Sequence, residues 1–429
     1  MFKKLFLYIF FFLLSVLIGF KFQNQVHNII LIPQGIFKVF FKERRIEPNI
    51  KIKNFTNDQT SIFANSFELV IENLENFSGF TKDENNIENP QHKSAGLYAS
   101  KINGETYIEL FTRDGHIINN KNKNIDKLEL PNFYDSHNTQ GGIRGVFFID
   151  DEIYIFMASK KIGCQNVTIF NIDRKKELLD LDCLPNAQDI HYDGIGGASI
   201  HLKDNVFVTV GVPTNNNQSI RDLAQDENSF YGKIIFINKP SLRYFLKGEK
   251  KIEIKKFTKG HRNPQGLAKI DDIIFSSEHG PKGGDELNKL SENINYGWPI
   301  SSYGTKYEQI SVASYKLNHT NYGFQEPIFQ FTPSIGISDL SNCTPQMIEY
   351  FERSGCLMAT SLRDQSLVFF LLDENLDRVI GFEKIDFGQR LRHIAKKKNG
   401  ELFYESDGSI YISSDSGEVL KIIFKFIKD

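Results

Sequence analysis

The chain has 429 residues, of which 40% are hydrophobic and 24% charged, and its formal net charge at pH 7 is −2. This composition is typical of a globular protein that can bury a substantial core. A nearly neutral chain argues against a nucleic-acid partner, because phosphate binding needs clustered positive charge. Length alone allows two or three domains, but a barrel or propeller of this length can also form one unit.

The chain opens with an apolar run that indicates export. Lys3 and Lys4 precede residues 5–20, which carry no charge, as in the basic and apolar regions of a signal peptide. The run is shorter than the ~20 residues of a full membrane span, and no small-residue cleavage site follows it. The sequence therefore predicts an uncleaved signal anchor within residues 1–22, with the rest of the chain translocated. A cleaved signal peptide is the less favoured alternative.

Residues 23–90 predict a stalk that follows the anchor. The stalk is rich in Asn, Glu and Lys, and the sequence predicts some helix near residues 65–76 and no chemistry for it.

Four cysteines are compatible with an oxidising compartment. Cys164 and Cys183 are near each other in sequence, as are Cys343 and Cys356. The cysteines could form two local disulfides or remain four buried free thiols, and the sequence does not decide between these alternatives. Neither pair has the spacing of zinc ligands.

From residue 91 onward the sequence has a β texture. One pattern recurs: a short apolar strand, a polar turn with Asp, Asn or Gly, and a second apolar strand, as expected for β-hairpins. The copies occupy residues 96–110, 145–157, 198–211, 266–277, 357–371 and 393–404. Repeated hairpins without a long helical stretch predict an all-β fold, a six-bladed β-propeller over residues 91–429. A β-sandwich and two separate β domains are the alternatives.

Polar motifs that can carry chemistry are concentrated in residues 260–299. GHRNPQGLA (260–268) is followed by SEHGPKGGDELNKL (277–290) and NYGWP (295–299). Any one of these segments alone is best interpreted as a turn, because Gly, Pro, Asn and Asp dominate turns. Three of them in one short stretch, with Arg, His, Asp and Glu among them, favour a ligand site.

The groups in these motifs suit a multiply anionic ligand and a hard cation. Arg262 offers a planar fork of donors to a carboxylate, and Asn263 and Gln265 add neutral donors. Gly280 and Pro281 present backbone carbonyl oxygens, which are ligands that calcium accepts.

Together, the three motifs resemble the signature of the soluble PQQ-dependent glucose/sorbosone dehydrogenase family, where PQQ is pyrroloquinoline quinone. EHGPKGGDE, with His rather than Gln before Gly-Pro, is most similar to the branch of bacterial periplasmic aldose sugar dehydrogenases. The resemblance covers the chain from about residue 93 onward. It implies a six-bladed propeller that carries PQQ across its top and passes hydride from a sugar to calcium-bound PQQ.

The resemblance also implies site residues. Those implied to contact the cofactor are Arg262, Asn263, His279, Asp285, Arg363, Arg390 and Arg392. Gly280 and Pro281 are implied to bind calcium through their carbonyl oxygens. Without the family, Arg390 and Arg392 lie two apart on a predicted strand and project to one face, which is also compatible with a solvated edge.

His191 is implied to be the general base that removes the sugar hydroxyl proton, and an imidazole that titrates near pH 6.5 suits this role. Two departures from the family surround it. Residues 192–198 are longer than the family's turn and lack its Arg. Val212 stands where the family has an acidic residue that orients the histidine, and such a partner matters in known triads. Asp189 and Asp193 are candidate substitutes.

The sequence therefore predicts a dehydrogenase, dependent on PQQ and calcium, that oxidises an aldose or related sugar outside the cytoplasm. It would lie on the periplasmic side of the inner membrane if anchored, or in the periplasm if the signal is cleaved. A quinone or cytochrome would accept the electrons. The alternative, favoured by Val212 and the stalk, is a catalytically degenerate propeller that binds a ligand or protein. A hydrolase or lactonase is a third hypothesis, but no Ser or Cys nucleophile motif supports it.

Overall fold

The computed structural model of the protein describes residues 53–54, 59–63, 67–74, 77, 93–121, 125–135, 141–184, 192–213, 218–305 and 315–426. The predicted anchor in residues 1–22 lies outside them. Within these ranges, no helix is both long and apolar enough to cross a membrane.

Strands make up most of this structure, and three short helices connect some of them. The helices are α1 Gln218–Asp222, α2 Lys239–Leu246 and α3 Pro345–Phe351. The strands of the first half are β1 Lys53–Asn54, β2 Gln59–Phe63, β3 Phe67–Asn73, β4 Ser94–Ile102, β5 Glu105–Thr112, β6 His116–Asn119, β7 Asp126–Lys127, β8 Ile143–Ile149, β9 Glu152–Lys161, β10 Cys164–Asn171, β11 Lys176–Asp180, β12 Gly196–Leu202 and β13 Asn205–Val210. Those of the second half are β14 Lys233–Asn238, β15 Ile254–Lys259, β16 Pro264–Ile270, β17 Ile273–Glu278, β18 Asp285–Lys289, β19 Phe329–Phe331, β20 Ile337–Asn342, β21 Cys356–Ser361, β22 Ser366–Leu372, β23 Val379–Asp386, β24 Leu391–Ile394, β25 Ile410–Ser414 and β26 Val419–Phe426.

These strands form six antiparallel sheets, the blades of a propeller. Blades 1 to 5 are β4–β7, β8–β11, β12–β15, β16–β19 and β20–β23, and blade 6 combines β24–β26 with β1–β3. The first strands of the blades, β4, β8, β12, β16, β20 and β24, contact one another in that order, and β24 contacts β4. They therefore enclose a central axis, and the predicted six-bladed β-propeller is confirmed.

Two glycines allow blades 2 and 3 to approach closely at the axis. A Cβ atom on Gly145 would lie 1.9 Å from the carbonyl oxygen of Gly197, and one on Gly197 would lie 2.3 Å from that of Arg144. Any side chain at either position would force these inner strands apart.

Five of the predicted hairpins are confirmed. Four of them are the first two strands of blades 1 to 4, and the fifth pairs β21 with β22 inside blade 5. The sixth, at residues 393–404, is wrong because β24 pairs instead with β25. Only an isolated bridge between Lys396 and Leu402 joins the two arms of the predicted hairpin.

Blade 6 takes strands from both ends of the described chain. β3 pairs with β26, with Ile71 opposite Ile422, and β2 and β1 follow on its outer side. The helix predicted near residues 65–76 is therefore wrong, since Phe67–Asn73 is a strand. The β-branched Val70 and Ile71 favour an extended backbone, and Leu69, Val70 and Ile71 are buried. Part of the predicted stalk thus belongs to the propeller.

The core lies between neighbouring blades, and two disulfides add to it. Strands of blades 2 and 3 share one apolar cluster that includes Phe147 and Val208. Cys164 is bonded to Cys183 and Cys343 to Cys356, so the alternative of buried free thiols is wrong.

Candidate functional site

The first two polar motifs meet at one end of the hairpin β16–β17. Pro264 pairs with Glu278, so the residues before β16 and those after β17 lie side by side. The backbone N–H of His279 donates to the carbonyl oxygen of Asn263 at 3.0 Å, and Nη1 of Arg262 donates to that of His279 at 3.1 Å. The sequence motifs therefore form one continuous wall.

A buried carboxylate, Glu278, fixes the backbone of the first motif. Its Oε1 atom accepts hydrogen bonds from the N–H groups of Arg262 and Asn263. Its Oε2 atom lies 2.8 Å from Nδ1 of His261, whose Nε2 atom lies 2.8 Å from the hydroxyl of Thr258. His261 and Glu278 are buried. They therefore support the backbone at Arg262 and are not placed to contact a ligand.

Asp285 fixes the second motif in the same way. Its carboxylate accepts hydrogen bonds from the N–H groups of Gly280, Gly336 and Ile337 at 3.1, 2.6 and 3.0 Å, and from the Ser334 hydroxyl at 2.6 Å. The residue is fully buried. The structure thus places Asp285 behind the wall, where it joins the Gly280 loop to blade 5, and not among the cavity-lining residues.

The third motif supports Arg262 from the side. The N–H of Trp298 donates to the carbonyl oxygen of Gly260 at 2.9 Å, and the Arg262 guanidinium lies 5.5 Å from the centroid of the Trp298 ring. A guanidinium over an indole face is a favourable contact.

Arg390 and Arg392 share one carboxylate. Nε of Arg390 donates to Asp415 at 3.0 Å, and Nε and Nη2 of Arg392 donate to it at 2.9 and 2.7 Å. Burial alone would raise the pKa of the Asp415 carboxyl, but Arg392, Arg390 and Lys93 outweigh it and hold the pKa well below its usual range. Both arginines are therefore pre-oriented toward the axis.

These residues surround a cavity of about 410 Å³ at one end of the propeller axis. Its lining contains six basic side chains, those of Lys93, Arg144, Arg262, Arg363, Arg390 and Arg392. Asn263, Gln265, His279, Gly280 and Pro281 also line it, whereas no Asp or Glu of the described ranges does. The structure thus brings together every predicted site residue that it describes except Asp285.

The predicted base His191 lies outside the described residues, as does Asp189, and nothing is described of the Asp193 side chain. Val212, at the position of the expected acidic partner, is buried, and its N–H donates to the carbonyl oxygen of Arg262 at 2.7 Å. That position therefore supports the cavity wall and offers no carboxylate.

No cluster of three or more His, Cys, Asp or Glu side chains in the described ranges is placed to hold a metal ion. The predicted calcium site is of another kind, since it uses the carbonyl oxygens of Gly280 and Pro281.

Sequence reasoning missed Lys93, Arg144 and Asp415. Asp415 lies in a serine-rich turn that looks like any hairpin end, so nothing in the sequence marks it. Arg144 does leave a signal, because it is the one charged residue in the apolar segment IRGVFFI of β8. A charge in a strand that is buried throughout points to a ligand or an ion pair.

Comparison with known proteins identifies the family. The sequence model of the glucose/sorbosone dehydrogenase family matches residues 105–418. The chain belongs to this family, and the resemblance seen in the motifs is confirmed. Aldose sugar dehydrogenase YliI from Escherichia coli is 29% identical over 228 residues, 51% of this chain and 57% of that protein. The chain spans about half the length of the curated relatives it matches.

Solved structures agree on the fold. The apo form of the soluble aldose sugar dehydrogenase from Escherichia coli has a TM-score of 0.59 at 21% identity, covering 82% of this chain and 99% of that one. The PQQ-bound aldose sugar dehydrogenase from Streptomyces coelicolor has a TM-score of 0.54 at 18% identity, covering 83% and 98%.

Proposed function

We propose that this chain is a PQQ-dependent dehydrogenase that oxidises an aldose or a related sugar outside the cytoplasm. The observation that carries the proposal is the cavity at the propeller axis, walled by the family's motifs and lined by basic side chains. The two disulfides support an extracytoplasmic location, because such bonds persist in oxidising compartments. We propose a quinone or cytochrome as electron acceptor. The membrane tether remains a prediction for residues 1–22.

The residues of the cavity fit PQQ in charge and size. PQQ is a planar quinone with three carboxylates, and four arginines that can meet such groups, Arg262, Arg363, Arg390 and Arg392, line the cavity. A volume of about 410 Å³ lies within the ~300–1,000 Å³ range of small-molecule sites. Arg392, buried and held by Asp415, would bind a carboxylate with little loss of side-chain freedom.

In this proposal the residues divide into four roles. PQQ, when bound, would supply the chemistry of a two-electron oxidation by accepting hydride from the sugar carbon. Arg262, Asn263, His279, Arg363, Arg390 and Arg392 would hold and orient the cofactor. The carbonyl oxygens of Gly280 and Pro281 would bind calcium beside it, and Asp285 would keep their loop in place. His191 would take the hydroxyl proton.

A second candidate function is a propeller that binds the cofactor or another ligand without turnover. The specific observation in its favour is Val212, which leaves His191 without the acidic partner that the family provides. An imidazole without an orienting carboxylate loses much of its activity as a base in known triads. The rate of sugar oxidation distinguishes the two functions, because only the dehydrogenase turns over a sugar.

The test is a spectroscopic and calorimetric titration of the purified protein with PQQ, with and without calcium. We expect saturable binding that calcium strengthens and that Arg262→Ala weakens at least about tenfold, as expected for loss of a charge-assisted hydrogen bond. Arg353→Ala is the matched control, because Arg353 is exposed beyond the end of α3. Dye reduction with a panel of aldoses then separates enzyme from binding module. Absence of PQQ binding would refute the dehydrogenase and leave only a propeller that binds another ligand.

A further inference from the structure

Two basic residues of the cavity, Lys93 and Arg144, are not among the site residues that the family resemblance implies. Lys93 directly precedes β4 in blade 1, and Arg144 lies on β8 in blade 2. Arg262 and Arg363 come from blades 4 and 5, which the order of the inner strands places across the ring. Lys93 and Arg144 therefore face Arg262 and Arg363 from the opposite side of the axis, whereas blade 6, which carries Arg390 and Arg392, is next to Lys93.

Arg144 is placed for contact with a ligand in the cavity. It is only 9% exposed, and every residue of its strand is buried, yet its side chain lines the cavity. The close approach of Gly145 and Gly197 puts Arg144 next to the start of β12. Arg144 therefore meets the cavity from blade 2, on the side of the ring away from Arg363 of blade 5.

The surroundings of Lys93 favour an anion. Burial lowers the pKa of its amine, and the charges of Arg113, Arg392 and Arg390 lower it further, whereas Asp415 opposes them. Asp415 already accepts three hydrogen bonds from Arg390 and Arg392. A negative group brought next to Lys93 would therefore relieve repulsion among these cations.

We propose that Lys93 and Arg144 form an anion subsite for the substrate, and that the sugar oxidised is itself anionic. Its negative group would be a carboxylate, as in a hexuronate, or a phosphate, as in an aldose phosphate. This inference rests on the proposed function. The anionic group takes no part in the redox step: the C1–H bond breaks to give hydride to PQQ, the hydroxyl proton goes to the base, and the sugar becomes a lactone.

The test measures kcat/KM of the PQQ- and calcium-loaded protein for glucuronate, glucose 6-phosphate and glucose, with a dye as electron acceptor. We expect one of the anionic sugars to exceed glucose about tenfold or more, the effect of one hydrogen bond to a charged group, and to lose this advantage as salt is raised. A higher kcat/KM for glucuronate would identify the negative group as a carboxylate, and a higher value for glucose 6-phosphate would identify it as a phosphate.

The variants Arg144→Leu and Lys93→Met should each lower the ratio of kcat/KM for the anionic sugar to that for glucose. Arg144→Lys, which keeps the positive charge, should retain most of the ratio. It therefore separates loss of the charge from a folding defect caused by any substitution at this position. Lys127→Met is the matched control, because Lys127 is an exposed lysine of blade 1, on β7, and should leave the ratio unchanged.

A calorimetric titration supplies a readout besides activity. Glucuronate or glucose 6-phosphate should bind the loaded protein more tightly than glucose, and Arg144→Leu should remove the difference. If glucose is preferred, or if neither variant changes the ratio, the anion subsite is refuted while the dehydrogenase stands. If the Lys93 and Arg144 variants lowered the affinity for PQQ as much as they lowered the kcat/KM ratio, both residues would be assigned to the cofactor. The anion subsite would then also be refuted. If PQQ does not bind, the proposed function fails, and this inference fails with it.

Discussion

Asp415 organises the basic side of the cavity although its own side chain is nearly inaccessible. It stands between Arg390 and Arg392, and its side chain is 7% exposed against 10% for that of Arg392. Two guanidinium groups this close would repel each other without a shared carboxylate. Asp415 therefore makes it possible for one blade to present both arginines to the same ligand.

Replacing this carboxylate should destabilise the fold. We expect Asp415→Asn to lower the free energy of unfolding at pH 7 by about 3 kcal/mol, the lower end of the cost of breaking a buried ion pair. The pKa of Asp415 is depressed in the folded protein, so its contribution is present above the pKa of ~3.9 of an unfolded Asp and is lost as pH falls below it. Urea unfolding at pH 7, 5 and 3 should show a difference between variant and parent that shrinks only at pH 3.

Asp150→Asn is the matched control for that measurement. Asp150 pairs with Arg243 at the surface, where both side chains are about half exposed, and such pairs contribute about 0–1 kcal/mol. Equal losses in the two variants would contradict the role given to Asp415.

At the scale of single residues, the sequence predicts the cations of the cavity better than their supports. Arg262 stands in one of the three motifs, and the family resemblance implies Arg390 and Arg392, so their convergence could be expected. Asp415 supports two of them from a turn that carries no motif, and its partners are 23 and 25 residues away in sequence. The contact of Asp415 with both arginines depends on the pairing of β24 with β25, which the hairpin pattern does not predict.

The two disulfides differ in their position within the blades. Cys343 and Cys356 are 4% and 1% exposed and join the residue after β20 to the start of β21, across α3. Cys164 starts β10, and its partner Cys183, beyond β11, is exposed. The first bond therefore lies inside blade 5, and the second lies near the surface of blade 2.

Mild reduction of the folded protein should break the Cys164–Cys183 bond first, because thiol–disulfide exchange requires access to a sulfur atom. Each bond closes a short loop, so replacing either pair with alanine should cost about 3 kcal/mol of stability by the chain-entropy relation. Alkylation and mass spectrometry after dithiothreitol treatment without denaturant would show which thiols appear. Earlier labelling of Cys343 and Cys356 would contradict the order that burial predicts.

At the scale of strands, prediction succeeds where a hairpin is local and fails where pairing is distant. The hairpins of blades 1 to 4 join strands separated by two-residue turns, so the apolar–polar alternation is sufficient to locate them. β3 and β26 pair across most of the chain, and no local pattern identifies the partner. The sequence therefore places β1, β2 and β3 in the predicted stalk, although these strands complete blade 6.

Contacts at two places close the ring of six blades, one among the outer strands of blade 6 and one near the axis. Outside, β3 pairs with β26, which joins the two ends of the described chain in one sheet. Near the axis, Nζ of Lys396 lies 2.7 Å from Oδ1 of Asp339 on β20 of blade 5. The Lys396 backbone exchanges hydrogen bonds of 3.1 and 3.0 Å with Leu97 and Ala99 of blade 1. The ion pair thus connects blades 5 and 6, and the backbone hydrogen bonds connect Lys396 to blade 1, beside an axial cavity of about 30 Å³.

Breaking this pair should weaken the whole ring. The side chains of Lys396 and Asp339 are 9% and 4% exposed, so Lys396→Met leaves a buried carboxylate without its counter-charge and should cost about 3–5 kcal/mol. Lys398→Met is the control, since Lys398 pairs with Asp151 in an exposed position, and it should cost no more than about 1 kcal/mol.

A double-mutant cycle decides whether the ion pair itself carries this effect. Asp339 also accepts hydrogen bonds from the N–H of Leu340 through Oδ1, at 2.9 Å, and from the N–H of Ile394 through Oδ2, at 3.0 Å. The single amide oxygen introduced by Asp339→Asn can keep only one of these two bonds. The double variant Asp339→Asn with Lys396→Met should cost less than the sum of the two single variants, because Asp339→Asn removes the carboxylate charge that Lys396→Met leaves uncompensated. Urea unfolding of the four proteins measures the coupling. Strictly additive losses would mean that the two residues stabilise the ring separately, and the closure at the axis would then depend on the strand contacts alone.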